Sequence, residues 1–158
     1  MKSLLLHNIR SLQNVGSLFR SADGAWWDRV YLTWYTGTPP RKEISKTALG
    51  AEESVSWEYY EDPLILLSEL KEQGTIIYSL ELTPQSEDIF EFFHSTFSRD
   101  LTNNARREKW ESQWDICLIL GSERDGVDPS LLAYSERVSH IPMHGIKASL
   151  NVSVAGAI

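Results

Sequence analysis

The sequence has few of the features that mark common classes of protein. Its single cysteine, Cys117, cannot form an internal disulfide, and the apolar residues beside it predict a buried strand. No apolar run approaches the roughly 20 residues that cross a bilayer. The first six residues have neither the apolar length nor the cleavage site of a signal peptide. We therefore expect a cytoplasmic protein with no membrane segment.

Several binding fingerprints are also missing. The chain has no glycine-rich dinucleotide fingerprint, no phosphate-binding P-loop and no cysteine and histidine cluster with zinc spacing. His140 and His144 are four residues apart, but they flank an Ile-Pro-Met turn and would not share a helix face. The pattern disfavours a Rossmann-type methyltransferase or dehydrogenase, and we expect no metal.

The charge excludes a protein that coats nucleic acid non-specifically. The formal net charge of the 158 residues is −7, whereas such affinity comes mostly from Lys and Arg neutralising phosphates. The charge is uneven, however, because the first third of the chain carries a basic group: Arg10, Arg20, Arg29, Arg41, Lys42 and Lys46. A local basic patch on an acidic protein is compatible with RNA binding.

Hydrophobic periodicity predicts strands that alternate with helices. Residues 4–7, 29–35, 54–60, 75–82, 116–120 and 137–141 read as strands. A helix follows the first strand, with one apolar face formed by Val15, Leu18, Phe19, Ala22 and Trp26. Asp62 with Pro63, and Asp128 with Pro129, predict two further helix starts, and Gly74 marks the end of the first of these.

This alternation predicts a single α/β domain over residues 1–158, with a mainly parallel sheet flanked by helices. Residues 83–114 interrupt it as an insertion, within which the spacing of Phe90, Phe93 and Phe97 predicts an amphipathic helix. Trp26, Trp27, Trp34 and Trp57 are more large apolar groups than a small core needs. They suit an interface, with burial in the core as the alternative.

Ligands of such folds bind outside the carboxyl ends of the strands, so the segments after strands are the places to search. Three polar segments follow strands, at residues 8–24, 118–127 and 141–155. Singly, their residues have structural explanations as well. Asn14 would serve as an N-cap, Arg20 as a solvated helix charge, Glu123 as a loop carboxylate and Ser149 as the cap of the final helix.

Together, in this order, the three segments resemble motifs 1, 2 and 3 of the SpoU (TrmH-type) family of RNA ribose 2′-O-methyltransferases, within the SPOUT superfamily. Motif 1 keeps Asn-Val-Gly at 14–16 and Arg-Ser-Ala at 20–22. Motif 2 keeps Gly-Ser-Glu at 121–123 with Gly126, and motif 3 keeps Ser-Leu-Asn-Val-Ser-Val-Ala at 149–155. Residues 46–52 resemble a segment common between motifs 1 and 2.

The resemblance implies an α/β-knot fold, in which a C-terminal deep trefoil knot is formed as the chain after motif 2 passes through a loop. Gly121, Gly126 and Gly145 suit tight backbone passages of that kind. S-adenosylmethionine would be held largely by main-chain groups and apolar walls, with no metal. Its implied contacts are Leu80, Glu81, Leu120, Gly121, Ser122, Ile141, Met143, Ser149 and Leu150.

The implied activity is methylation of a ribose 2′-hydroxyl in RNA, with tRNA favoured over rRNA. Arg20 resembles the family's catalytic arginine, and whether it removes the proton or only orients phosphate stays open. Asn14 would position Arg20 or the ribose, Glu123 would hold the pocket, and Ser149 with Asn151 would shape the third loop. The implied RNA contacts are Arg10, Arg20, Arg41 and Lys46. The family also implies a homodimer, with the arginine near the partner's cofactor pocket.

The chain departs from the family pattern in three places. Trp26 and Trp27 stand where a small residue is common, residues 83–114 are longer than the usual connection, and the sequence stops two turns into an expected final helix, as a truncated record would. Two other functions are considered. One is a catalytically inactive knotted RNA-binding or dimerisation module, expected if Arg20 turned away or Trp26 blocked the pocket. The other is a general α/β small-molecule binder, which makes three ordered motif matches a coincidence.

Overall fold

The computed structural model describes residues 1–91, 115–147 and 149–158. Within these ranges the strands are β1 Lys2–His7, β2 Arg29–Thr33, β3 Ser56–Tyr60, β4 Ile76–Leu80, β5 Glu87–Asp88, β6 Ile116–Leu120 and β7 Arg137–His140. The helices are α1 Leu12–Gly24, α2 Lys42–Ala48, α3 Ala51–Ser54, α4 Pro63–Glu72, α5 Pro129–Leu132 and α6 Val152–Ala155.

The described strands form one sheet in the order β3-β2-β1-β6-β4-β7-β5, and every pair in it is parallel. The predicted α/β class with a mainly parallel sheet is confirmed. Strand β6 lies between β1 and β4, with Leu120 opposite both Leu6 and Leu80. Parallel pairing brings the carboxyl ends of β4, β6 and β7 to one edge of the sheet, which is where the motifs follow. The knotted passage itself stays a prediction.

Both faces of the sheet are buried, which explains why its central strands read as continuous apolar runs. Leu4 and Leu6 of β1 pack on one face with α1 and α2, while Leu5 packs on the other with Leu67 of α4. Cys117 is fully buried in the second cluster, as expected. Burial raises the pKa of its thiol to about 12, so Cys117 is a core residue and not a nucleophile.

Helix α1 begins after Ser11, whose hydroxyl accepts a hydrogen bond from the Asn14 amide at 3.3 Å. Its apolar face is the predicted one, with Val15, Leu18, Phe19 and Ala22 buried. Trp26 does not belong to that face, contrary to the prediction. The helix ends at Gly24, and Trp26 lies beyond it at φ 57° with 83% of its side chain exposed. The apolar pattern in the sequence therefore extends two residues beyond the end of the helix.

Other differences concern boundaries and short elements. The third strand begins at Ser56 because Ser54 is the last residue of α3, and the strands predicted to reach 35, 82 and 141 end earlier. Helix α2 was not predicted from the sequence. The start of α4 is confirmed, since the Asp62 carboxylate accepts from the Leu64 amide at 2.8 Å. The start of α5 is confirmed as well, since the Asp128 carboxylate accepts from the Ser130 amide at 2.8 Å.

The predicted insertion is described only in part. Its first residues carry β5, which pairs with β7 through Asp88 and His140. Phe93 and Phe97, which the predicted amphipathic helix requires, lie outside the described residues, while Phe90 is exposed. No helix in the described ranges has both the length and the apolar character that crossing a membrane requires.

Candidate active site

A cavity of about 530 Å³ opens where β4, β6 and β7 end. That volume is in the range of sites that enclose a cofactor-sized molecule, roughly 300–1,000 Å³. The wall residues come from the segments after the three strands and from the start of α6: Leu80, Glu81, Leu82, Leu120, Gly121, Ser122, Glu123, Arg124, Asp125, Gly126, His140, Ile141, Met143, Ser149, Leu150, Asn151, Val152 and Ala155. Sheet topology therefore gathers motifs 2 and 3 around one space.

The structure places all the residues predicted to contact the cofactor in this wall. The set is Leu80, Glu81, Leu120, Gly121, Ser122, Ile141, Met143, Ser149 and Leu150, and two predicted catalytic residues, Glu123 and Asn151, line it as well. The remaining two, Asn14 and Arg20, lie on α1 and do not line the cavity. Motifs 2 and 3 thus form the pocket, while motif 1 stands beside it.

Motif 1 is attached to the cavity wall through one carboxylate. Glu123 Oε2 accepts from the Arg10 amide at 2.9 Å, and Glu123 Oε1 accepts from the Ser11 amide at 3.1 Å and from the Asn14 side-chain amide at 2.8 Å. Burial works to raise the pKa of Glu123, but the hydrogen bonds from Arg10, Asn14 and Ser11 outweigh it and hold the pKa below its usual value. Glu123 is therefore ionised at neutral pH, and Asn14 is a partner of Glu123 and not the N-cap of α1.

The turn of motif 2 depends on two glycines. The Ser122 amide donates to the Gly126 carbonyl at 3.0 Å, and the Gly126 amide returns a bond of 2.9 Å to Ser122. Gly126 has φ 72°, a conformation that L side chains rarely adopt. A Cβ on Gly121 would overlap the Gly126 and Val127 backbone. Gly145 does not match the prediction of a tight passage, because nothing lies within 4 Å of where its Cβ would be.

Glu81 braces the same turn from the end of β4. Its Oε2 accepts from the Val127 amide at 2.7 Å, and its Oε1 accepts from the Leu82 amide at 2.9 Å. Its own amide donates to the Ser139 carbonyl at 2.9 Å, at the end of β7. Glu81 therefore joins three segments of the cavity wall. It was predicted only as a cofactor contact, and this bracing role carries no local sequence signal.

The third loop ends in the cap of α6, for which the sequence offered Ser149 as the structural alternative to a functional role. Asn151, not Ser149, is the N-cap of α6, and its Oδ1 accepts from the Ser153 amide at 2.9 Å and from the Ser153 hydroxyl at 2.6 Å. Ser149 lines the cavity and is exposed. Its hydroxyl makes no hydrogen bond within the described ranges, which leaves it available to a ligand.

The predicted RNA-contacting cations lie outside the cavity. Arg10 is exposed in the loop before α1, Arg20 is exposed on α1, and Arg41 and Lys46 are exposed at the two ends of α2. The Arg20 guanidinium makes no hydrogen bond or ion pair with any described residue. Helix α1 packs directly on α2, where Gly16 allows contact with Ile44, Thr47 and Ala48. Arg20, Arg41 and Lys46 therefore belong to one helix layer, and Arg10 lies in the loop that leads into it.

Several cavity residues were not predicted. Leu82, Arg124, Asp125, Gly126, His140, Val152 and Ala155 all line it, and each lies within four residues of a predicted site residue, three of them inside the motifs themselves. The wall carries three carboxylates, on Glu81, Glu123 and Asp125, against the one guanidinium of Arg124. The formal charge of the wall is therefore net negative.

Two further observations concern residues that the sequence singled out. Trp26 is not a wall residue, so it does not block the cavity. Within the described ranges, no group of three His, Cys, Asp or Glu side chains is placed to hold a metal ion. His140, the histidine in the wall, has its Nδ1 3.0 Å from the Ser86 hydroxyl.

The model of the SpoU rRNA Methylase family matches residues 1–158. The chain is 27% identical to the 23S rRNA (guanosine(2553)-2′-O)-methyltransferase RlmP of Bacillus subtilis over 163 residues, which cover 99% of this chain and 55% of that protein. It is 26% identical to the tRNA (guanosine(18)-2′-O)-methyltransferase of Escherichia coli over 159 residues, which cover 99% of this chain and 59% of that protein.

Among solved structures, the SpoU methyltransferase AviRb from Streptomyces viridochromogenes, in complex with the cofactor AdoMet, superposes with a TM-score of 0.79. The sequences are 17% identical, and the match covers 98% of this chain and 56% of that one. At this identity the likeness establishes the fold. The chain spans a little over half the length of the curated relatives described above.

Proposed function

The chain belongs to the SpoU rRNA methylase family, and from that premise we propose that it methylates a ribose 2′-hydroxyl in RNA with S-adenosylmethionine as methyl donor. The observation that carries this proposal is the cavity at the carboxyl ends of β4, β6 and β7, whose wall contains every residue predicted to contact the cofactor. The relatives named above act on guanosine 2′-hydroxyls of 23S rRNA and of tRNA.

The residues present fit this cofactor. Leu80, Leu120, Ile141, Met143 and Leu150 offer apolar walls to an adenine ring, and the cavity has the volume for a molecule of that size. Three carboxylates in the wall favour a sulfonium cation over its neutral product. When bound, S-adenosylmethionine supplies an already activated methyl group, so the protein has to supply geometry and deal with the proton of the hydroxyl.

We assign the handling of the hydroxyl proton to Arg20, with Asn14 and Glu123 holding the helix that carries it. A free guanidinium is a very weak base because its pKa exceeds about 12, so proton removal by Arg20 would need the help of an RNA phosphate. Orientation of the phosphate and the developing alkoxide needs no such help. In either role Arg20 must meet RNA, and its exposed, unpaired guanidinium on α1 is compatible with that.

Arg20 does not line the cavity of its own chain, which supports the proposal of a homodimer. In this arrangement the α1 layer of one subunit stands over the cavity of the other, and each active site combines Arg20 from one chain with the cofactor pocket from its partner. A closed two-fold dimer then contains two equivalent composite sites. Ser149 and Asn151 would shape the loop between them.

We propose tRNA as the first RNA to test and rRNA as the second. Arg10, Arg41 and Lys46 are the further phosphate contacts we assign, because they share the exposed basic layer of α1 and α2 with Arg20. An RNA substrate also agrees with the cytoplasmic location expected from the sequence. No observation favours the inactive module, since Trp26 leaves the cavity open and the catalytic set is retained.

The first experiment is calorimetric titration of the protein with S-adenosylmethionine. Leu150→Arg adds bulk and positive charge to the wall and should abolish binding. Its matched control is Ile146→Arg in the same loop, because Ile146 is fully exposed and does not line the cavity. Binding by the wild type and the control, but not by Leu150→Arg, supports the assigned pocket. A folded wild type that binds no S-adenosylmethionine would refute the enzyme function.

The second experiment follows transfer of a labelled methyl group to bulk tRNA and, separately, to rRNA. Methylation at the ribose 2′-oxygen makes the adjacent phosphodiester resistant to alkali, because the attacking hydroxyl is lost. Label recovered in alkali-resistant dinucleotides therefore supports ribose methylation. Label recovered in mononucleotides after the same treatment would place the methyl group on a base and contradict the proposed reaction.

A further inference from the structure

Two neighbouring aromatic side chains project into solvent at the sheet edge that carries the cavity. Trp34 and Tyr35 directly follow β2, with 50% and 77% of their surfaces exposed. Their rings pack edge to face, with centroids 5.7 Å apart at an angle of 88°. We propose that Trp34 and Tyr35 form a stacking platform for an unpaired base of the RNA substrate. The inference rests on the proposed function and extends it.

The backbone holds this pair outward. Trp34 has φ 60°, a conformation that a bulky residue adopts only when its surroundings impose it. Its carbonyl accepts a hydrogen bond from the Tyr59 hydroxyl at 3.0 Å, and its indole packs against the ring of His7 at 6.3 Å between centroids. The platform is therefore pre-formed, so a base that stacks on it has little side-chain ordering to complete.

The loop is also attached directly to motif 1. The Thr36 hydroxyl accepts from the Ile9 amide at 3.0 Å and donates to the Leu6 carbonyl at 2.9 Å. Ile9 precedes Arg10, whose amide is bonded to Glu123 in the cavity wall. Two adjacent loops thus connect the platform to the pocket, which places the exposed rings on the same side of the sheet as the site.

The charges around the platform are those that a nucleic acid requires. Arg10 is exposed in the motif 1 loop, and the Arg41 side chain lies 3.7 Å from the Cβ position of Gly37, two residues after Tyr35. Single-stranded RNA is recognised by aromatic side chains that stack on its bases together with cations that meet its phosphates. An aromatic pair flanked by two arginines has both components.

A second exposed tryptophan provides an internal comparison. Trp26 is 83% exposed and also has a positive φ, 57°. It lies near the amino-terminal ends of the strands, away from the cavity. The amide of nearby Asp28 donates a hydrogen bond to the Lys2 carbonyl at the start of β1. The neighbours of Trp26 are of both charges, since Asp23 and Asp28 are acidic and the Lys2 ammonium donates to the Ala25 carbonyl at 3.4 Å. Exposure and backbone conformation are thus shared by Trp26 and Trp34, whereas the place beside the cavity belongs only to the platform.

The test compares Tyr35→Ala, Tyr35→Phe and Trp26→Ala with the wild type. The probe is a short fluorescein-labelled single-stranded oligoribonucleotide of mixed sequence, followed by fluorescence anisotropy, and the same strand annealed to its complement. Tyr35→Ala should bind the single strand about ten-fold more weakly or worse, whereas Tyr35→Phe and Trp26→Ala should match the wild type. Binding of the duplex and of S-adenosylmethionine should be equal in all four proteins.

The outcomes separate this inference from the function on which it rests. If the wild type methylates RNA and Tyr35→Ala binds the single strand equally well, the platform is refuted and the function stands. If the wild type binds S-adenosylmethionine but neither binds nor methylates RNA, both are refuted. If Tyr35→Ala changes the sedimentation coefficient and leaves the RNA affinity intact, the rings are an interface between copies of this chain, which also overturns the platform.

Discussion

Asn14 and Glu123 are 109 residues apart in the sequence, and the Asn14 side-chain amide donates to Glu123 Oε1 at 2.8 Å. The same carboxylate accepts the amides of Arg10 and Ser11. Because the Ser11 hydroxyl caps α1, Glu123 fixes both the loop before this helix and its first turn. The helix that carries Arg20 is therefore held in position by the wall of the cavity.

Replacing Glu123 by Gln should weaken the attachment of α1 to the cavity wall. The amide has one acceptor oxygen, so its NH₂ group faces donors that the carboxylate satisfied. We expect a loss of about 0.5–1.5 kcal/mol in the free energy of unfolding in urea at pH 7, the net contribution of an ordinary hydrogen bond, because these bonds are exposed and water can replace the lost acceptor. Asp125→Asn is the matched control, because Asp125 is exposed and its pairing with Arg124 is loose, at 4.0 Å.

The loss of stability in Glu123→Gln should depend on pH, because the pKa of Glu123 is lowered in the folded protein. A carboxylate whose pKa is lower in the folded than in the unfolded state stabilises the fold above its unfolded pKa, and this contribution is lost as pH falls through the folded value. The difference between wild type and Glu123→Gln should thus be full at neutral pH and shrink in acid, below the ordinary value of 4.5. A deficit of the same size in acid would contradict an ionic role.

The motif 2 glycines should tolerate no side chain. Gly126→Ala puts a Cβ against the Glu81 carboxylate at φ 72°, and Gly121→Ala puts one against the backbone of the same turn. A substitution at Gly121 thus acts on the turn and does not simply fill the cavity. Both variants should lose S-adenosylmethionine binding and unfold at lower temperature. Gly145→Ala, in open space, should behave as the wild type. Normal cofactor affinity in Gly126→Ala would show that the Glu81 brace is dispensable.

How far the sequence predicts this molecule can be judged from particular residues. The buried strand around Cys117 and the helix starts at Asp62 and Asp128 were predictable, because apolar runs and caps are local signals. Trp26 was misassigned because periodicity does not show where a helix ends. Helix α2 was missed, since Ile44 and Ala48 alone give too short an apolar pattern to detect.

The residues that line the cavity were identified through the family motifs. These motifs link segments that are distant in the sequence, which hydrophobic periodicity cannot do. The bond between Asn14 and Glu123, the Glu81 brace and the cap at Asn151 were not predicted as contacts. The first two depend on how β1, β6 and β4 align, and that register is fixed by tertiary packing and not by local sequence. The same applies to the Trp34 loop, whose outward conformation is set by Tyr59 and Thr36. The cap at Asn151 is a local contact with Ser153, two residues further along the chain.

His7 should make the stability depend on pH near neutrality. It is buried at the end of β1 with its Nδ1 3.0 Å from the Thr33 hydroxyl, and desolvation lowers its pKa although the charge of Asp128 opposes this. The folded state then binds fewer protons than the unfolded state between the lowered pKa and the ordinary value of 6.5. Stability should therefore fall as pH drops below that value.

The check is urea unfolding of the wild type and His7→Asn between about pH 7 and pH 5, on either side of the ordinary histidine pKa. Asparagine can keep the hydrogen bond to Thr33 but does not titrate, so the gap between the two proteins should narrow, or reverse, on acidification. His144→Asn is the control, since His144 is exposed in the third loop. Parallel curves for wild type and His7→Asn would show that this histidine is not the source of the pH dependence.

Arg20 should affect catalysis without affecting the fold or the cofactor. It is exposed and has no partner among the described residues, so Arg20→Ala should change the free energy of unfolding by less than about 0.5 kcal/mol. Methyl transfer to RNA should fall about 100-fold or more, as is typical when a group that stabilises developing charge is removed. Arg20→Lys, which keeps the charge and loses the planar fork, should recover only part of this. Lys71→Ala, an exposed cation on α4, is the control.

Mixing two inactive variants then tests whether Arg20 acts across a dimer. Arg20→Ala keeps the pocket, and Leu150→Arg keeps the arginine. If each site takes its arginine from the partner, a heterodimer has one intact site. An equal mixture, after subunit exchange, should therefore recover about one quarter of wild-type activity, because half of the dimers are mixed and each has one working site of two. If Arg20 instead serves the pocket of its own chain, no combination contains a complete site and the mixture stays inactive. That second result, from a mixture shown to contain heterodimers, would contradict the composite site.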